Sequence, residues 1–161
     1  SNATIAGLAW YESLGTHRPI NAVVNMLVLI RFAGPGLPAA RLWLEEPGVT
    51  ILNDDRIILR LMGDEVRMYG TPWHGDARIA SPGNARLKGI FFLRHAGKNE
   101  AARMMPGQSA ARMYACAFLP FHSRQGLDYS LGMFGEVASR VPCHELGFIP
   151  DRSIVGYVLR S

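Results

Sequence analysis

The chain has 161 residues, 48% of them hydrophobic and 19% charged, with a formal net charge of +4. That is enough chain to bury a core and too apolar a composition for intrinsic disorder. The basic residues through the middle (Arg56, Arg60, Arg67, Arg78, Arg86, Lys88, Arg94 and Lys98) are scattered rather than clustered. This argues against a nucleic-acid partner, because such proteins gather charge on one face with aromatics between. A mild positive balance does suit phosphorylated small molecules. The longest apolar stretch, residues 22–32, is interrupted by Asn25 and Arg31 and is too short to cross a bilayer, so no membrane partner is expected. Cys116 and Cys143 belong to no C-x-x-C pair. Zinc and redox motifs are therefore unsupported, and buried thiols in a reducing, cytoplasmic setting are the simpler reading. No signal peptide is visible. Ser1-Asn2-Ala3 reads as a remnant of tag removal, and residues 4–161 read as one domain.

In chain order, residues 4–25 mix Trp10, Tyr11, His17 and Pro19 without a clear period and stay unassigned. Residues 26–32 form an apolar, β-branched run that predicts a buried strand, closed by Gly34-Pro35-Gly36. Pro38 suits the first turn of a helix over 39–46, which Pro47-Gly48 ends. Residues 49–52 predict a second strand, running into Asn53-Asp54-Asp55. A hairpin is expected from 57–61 and 66–69 around Gly63-Asp64, and a loop rich in Gly, Pro and Trp over 70–83. Residues 87–93 predict another strand. Helices are expected over 100–105 and 108–118, broken by Pro106-Gly107, and over 127–141. Residues 143–148 predict a strand, whereas 154–159 fit a strand or a short helix equally. Strand, glycine turn, helix and strand together begin an α/β fold, and the hairpin after the acidic pair makes its sheet mixed.

Three segments could carry chemistry. Asp54 and Asp55 stand at a predicted strand end, where open α/β sheets place ligands. Phosphoryl transfer needs a carboxylate to hold Mg²⁺ or to orient the nucleophile, and adjacent acids can divide those jobs. The competing reading is a turn of solvated acids, since Asn-Asp-Asp is also good turn chemistry. The second segment is Gly70-Thr71-Pro72-Trp73-His74-Gly75-Asp76. Its glycines let backbone approach phosphate oxygens, Thr71 can donate to them, and His74 can donate or shuttle a proton. It reads equally as a tight loop with Trp73 packed and His74 on the surface. Third, Lys88 and Arg94 flank an apolar strand and could aim cations at a polyphosphate, or could be plain strand-end charges. His95, His122 and His144 have no metal-site spacing.

The run Thr50-Ile-Leu-Asn-Asp-Asp-Arg-Ile-Ile-Leu-Arg60, then Tyr69-Gly-Thr-Pro-Trp-His-Gly75, Leu87-Lys-Gly-Ile-Phe-Phe-Leu93 and Val141-Pro-Cys-His-Glu-Leu-Gly-Phe-Ile-Pro-Asp151 resembles the HPr serine kinase and PEP carboxykinase group. The likeness covers residues 28–160. It implies a mixed β-sheet with flanking helices and a phosphate loop between a strand and a helix. It implies ATP and Mg²⁺ as cofactors, Asp54 and Asp55 as metal ligands that help activate a hydroxyl, and a protein or small-molecule hydroxyl acceptor. It also leaves homo-oligomer formation open. Gly34 and Gly36 fall where the phosphate loop of the group lies, with Gly70, Thr71 and Arg94 as further candidate phosphate contacts. The group's loop has the form G-x-x-x-x-G-K-[ST]. Here Ala33-Gly-Pro-Gly-Leu-Pro-Ala-Ala40 keeps the glycine turn but has no Lys-Ser or Lys-Thr after it. The alternative is therefore a degenerate relative that binds a nucleotide or partner without catalysis.

Overall fold

Alternating burial organises the central hairpin. In the computed structural model, which describes residues 3–5, 23–24, 39–47, 49–55, 57–75 and 77–160, β1 (Ala3–Ile5) and β2 (Val23–Val24) come first, followed by helix α1 (Ala39–Leu44) and β3 (Val49–Ile51). Next come β4 (Ile57–Met62) and β5 (Glu65–Gly70), joined by the two-residue turn Gly63-Asp64. Gly63 sits at φ 60°, a backbone state that glycine adopts without steric cost and that two-residue hairpins require. Ile57 and Leu59 of β4 and Val66 and Met68 of β5 turn inward, so the period of two matches one buried face.

Then follow β6 (Asn84–Arg86), β7 (Ile90–His95) and β8 (Glu100–Arg103). The C-terminal part contains α2 (Pro106–Cys116), β9 (Ala117–Phe118), α3 (Arg124–Arg140), β10 (Cys143–Phe148) and α4 (Ser153–Arg160). Among the described residues the strands form three groups. One is an antiparallel sheet in the order β6-β5-β4-β2-β9, and another is a parallel pair, β1-β3. The third is a mixed sheet β7-β10-β8, with β10 parallel to β7 and antiparallel to β8. The protein is thus mixed α/β with flanking helices. The hairpin itself lies in the all-antiparallel sheet, so the mixed character comes from β10 and not, as the sequence suggested, from the hairpin.

One apolar cluster draws on both larger sheets and the helices. Trp43, Ile57, Leu59, Ile90, Met113, Phe134, Leu146 and Ile154 are its largest fully buried side chains. Tyr114 meets Phe134 edge to face at 6.2 Å between centroids, tying α2 to α3. Helix starts follow capping chemistry. Ser123 Oγ accepts from the Gly126 amide at 3.1 Å to open α3, and Asp151 Oδ1 accepts from the Ser153 amide at 2.8 Å to open α4.

Three expectations need correction. The helix expected over 100–105 is strand β8: Glu100, Ala101, Ala102 and Arg103 pair with β10, and the Tyr157 hydroxyl accepts from the Ala101 amide at 2.9 Å. That ladder overrides the helical preference of Glu-Ala-Ala-Arg. Pro106-Gly107 does not interrupt a helix. It begins α2, because proline in the first turn forfeits an amide that has no intrahelical partner there. The strand expected from residue 87 begins at Ile90; Leu87 is buried, and its amide bonds to the Val66 carbonyl at 2.8 Å beside β5. For residues 154–159, where strand and short helix fit equally, the helix is present as part of α4. The strand expected over 26–32, with Gly34 and Gly36 after it, lies outside the described residues, as do Arg56 and Asp76. Among the described residues no helix is long and apolar enough to cross a membrane.

Candidate functional site

Where β3 ends, the chain buries three consecutive residues, two of them polar in ways that burial normally penalises. Leu52, Asn53 and Asp54 are 3%, 0% and 2% exposed. A buried amide or carboxylate must find partners, or its desolvation goes uncompensated. The partners come from the glycine-containing loop that follows β5. That loop folds back along residues 52–54: the Ser81 amide donates to the Leu52 carbonyl at 2.8 Å, the Asp54 amide to the Ile79 carbonyl at 3.2 Å, and Asn53 forms an isolated antiparallel bridge with Ala80.

Asn53 is the clamp for the first half of the loop. Its Nδ2 donates to the Thr71 carbonyl at 3.1 Å, to Thr71 Oγ1 at 3.3 Å and to the Trp73 carbonyl. Its Oδ1 accepts from the Asp55 amide at 2.7 Å, an Asx turn that sets where the chain leaves β3. The hydroxyl of Thr71, 4% exposed, donates a hydrogen bond to the Trp73 carbonyl at 3.3 Å.

Asp54 is the clamp for the second half. Its Oδ1 accepts from the amides of Gly75 at 2.7 Å and Ile79 at 3.3 Å, and its Oδ2 accepts from Ala77 at 2.6 Å. Hydrogen bonds to an ionised acceptor are stronger than neutral ones. Arg78 sits between two of the donors at φ 57°, the left-handed region, and such a reversal lets successive amides converge on one anion. A side chain would be crowded at Gly75 and blocked at Gly70. A Cβ on Gly75 would stand 3.1 Å from Asp54 Oδ2 and from the Asp55 Cβ, and one on Gly70 would stand 2.1 Å from the Ser81 carbonyl oxygen.

The other expected site residues fall as follows. Asp55 is half-buried beside Gly75. His74 is exposed, with Nδ1 3.1 Å from the Gly75 carbonyl oxygen. A carbonyl can only accept, so this contact places the proton on Nδ1 and leaves Nε2 as the basic nitrogen of the neutral ring. Trp73, 39% exposed, stands next to it. Arg94 lies in the other sheet, on β7. Its Nη2 reaches Glu100 at 2.5 Å and its Nε reaches Glu145 at 2.9 Å, while Lys98 also bonds Glu100 at 3.0 Å. Hydrogen bonding to Glu100 is the main cause that raises the Arg94 pKa, and bonding to Lys98 and then Arg94 lowers that of Glu100.

The loop and the strand end therefore bring together Asp54, Asp55, Gly70, Thr71 and His74, whereas Arg94 belongs to a separate ion-pair cluster. The reading of Asp54 as a solvated turn acid does not hold, although turn chemistry is present in the Asx turn of Asn53. Among the described residues no group of three or more His, Cys, Asp and Glu side chains gathers in a way that could hold a metal ion. Two carboxylates are nonetheless a sufficient protein share for Mg²⁺, which commonly keeps waters and takes substrate phosphates as its remaining ligands. The donor set is all oxygen, as that ion requires. Asp54 has both oxygens engaged by amides of Gly75, Ala77 and Ile79.

A separate cleft of about 400 Å³ opens between residues 103–106 and 138–143, with Arg103, Arg140 and Cys143 in its wall. Burial pushes the Cys143 thiol pKa up, which keeps it protonated and a poor nucleophile. No family model matches the chain, and neither a curated protein nor a solved structure does.

Proposed function

We propose that this α/β domain is an ATP-dependent phosphotransferase of the HPr serine kinase and PEP carboxykinase type, transferring a phosphoryl group to a hydroxyl acceptor with the help of Mg²⁺. The observation that carries the reading is the convergence of Asn53, Asp54 and Asp55 with residues 70–79, two segments that the resemblance marks separately. In this reading Asp54 holds the loop through the amides of Gly75, Ala77 and Ile79. Asp55 would hold Mg²⁺, whose charge offsets that of the phosphate oxygens. His74, with its proton fixed on Nδ1, presents Nε2 to accept a proton from the acceptor hydroxyl.

A second reading is favoured by one sequence feature: Gly34-Pro35-Gly36 is followed by no Lys-Ser or Lys-Thr. A relative with that loop would bind nucleotide or a partner without transferring phosphate. Incubating the full chain with ATP, Mg²⁺ and serine-containing peptides or small alcohols separates the two. Phosphorylated acceptor that disappears in Asp55→Asn supports transfer, whereas nucleotide binding without any acceptor product supports the non-catalytic relative.

A further inference from the structure

The sequence scatters its arginines, but the sheet gathers three of them. Arg60 of β4 stands directly opposite Arg67 of β5, which stands directly opposite Arg86 of β6. All three lie on the face away from Ile57, Leu59, Val66 and Met68, and the Arg86 side chain is 58% exposed. Like charges directly opposite across strands are unfavourable, so the row is not explained by stability of the sheet. Among the described residues a single carboxylate answers it: Glu65 lies 3.2 Å from Arg67 and 3.3 Å from Arg86.

The guanidinium groups are also pre-set. Arg67 is held by two bonds to Asn84 Oδ1, at 3.1 Å and 2.6 Å, and Arg60 lies over the Tyr69 ring at 5.3 Å from its centroid. Side chains already ordered lose less entropy when a ligand arrives. We infer that this face of the β4-β5-β6 sheet is a docking surface for an acidic polypeptide segment. Charge complementarity selects an anionic partner, because among the described residues one carboxylate stands with three guanidiniums. Glu65 already displays how a carboxylate seats between two of them. The aromatic ring beside the row, Tyr69, is covered by Arg60. Single-stranded nucleic acid, which binds by stacking bases on open rings, is therefore the poorer fit. The inference does not depend on phosphoryl transfer.

Fluorescence anisotropy of a labelled poly-glutamate peptide, titrated with the full chain, tests it against a labelled single-stranded RNA of equal charge. The peptide should bind more tightly than the RNA at the same salt, weaken as salt rises, and lose about tenfold or more in affinity with Arg60→Glu plus Arg86→Glu. Should that pair fail to fold by circular dichroism, Arg60→Gln plus Arg86→Gln gives the same reading with less repulsion. Undetectable peptide binding, binding that either folded pair leaves unchanged, or tighter binding of the RNA would overturn the inference.

Discussion

Asp54 and Arg94 both use charge to join segments far apart in the chain, in opposite surroundings. Asp54 is buried, and its partners among the described residues are backbone amides of the loop it holds, which cannot swing away as side chains can. Arg94 stands on the surface between Glu100 and Glu145, with Lys98 competing for Glu100. Surface pairs of that kind are screened and contribute little, whereas a buried acceptor leaves stranded donors when it is removed. The lesson is that the length of an ion-pair roster says less about this fold than one carboxylate in the right place.

The sharpest way to break this contrast is Asp54→Ala. Three amides would lose a charged acceptor inside the protein, and a loss of about 3 kcal/mol or more is expected in denaturant unfolding. A change as small as that of Asp55→Ala, whose carboxylate is only half-buried, would show that the clamp is not the anchor described. Next comes Gly70→Ala. Its Cβ would fall 2.1 Å from the Ser81 carbonyl, a backbone atom with no rotamer to yield, so a loss of about 2 kcal/mol is expected together with faster amide exchange over 71–81.

His144 sharpens the contrast at a third site. Its Nδ1 is buried without a partner among the described residues, its ring stacks on Phe91 at 5.3 Å, and Arg103 lies opposite it on β8. Burial first, and the Arg103 charge second, hold its pKa below the ordinary 6.5. The unfolded chain then binds the proton more readily. The His144 contribution is complete above the unfolded value and is lost as pH falls through the folded one. Unfolding midpoints of the parent should drop on that descent, and His144→Phe should flatten the slope. The smallest effect belongs to Arg94→Ala, which should leave the midpoint nearly unchanged, more so at high salt. A large loss would contradict the surface-pair account.

Much of the fold could be read from local pattern. The alternation around Gly63-Asp64 gives the hairpin, and residues 143–148 coincide with β10. The reading failed where tertiary pairing or capping outweighs propensity. Glu100 to Arg103 is helix-forming in isolation but is claimed by β10, and Pro106 looks like a breaker until it is seen as a first-turn residue. The site divides in the same way. Asp54, Asp55, Gly70, Thr71 and His74 stand out by residue type. The amides of Ala77 and Ile79 do not, because every residue but proline carries that donor and only the fold aims it. Asn53 was also overlooked as a clamp, though an Asn preceding two acids at a strand end is a usable signal. The arginine row was missed because strand register, not sequence distance, sets which residues are neighbours.

In the proposed function Asp54 builds the loop and Asp55 would hold the metal of a bound nucleotide. Isothermal calorimetry of ATP into the full chain, with and without Mg²⁺, tests it most directly when repeated on Asp55→Asn. The account predicts Mg²⁺-dependent heat from the parent chain, absent from an Asp55→Asn variant that unfolds at the parent's midpoint. Heat that survives in Asp55→Asn, or no heat from the parent chain, would contradict it.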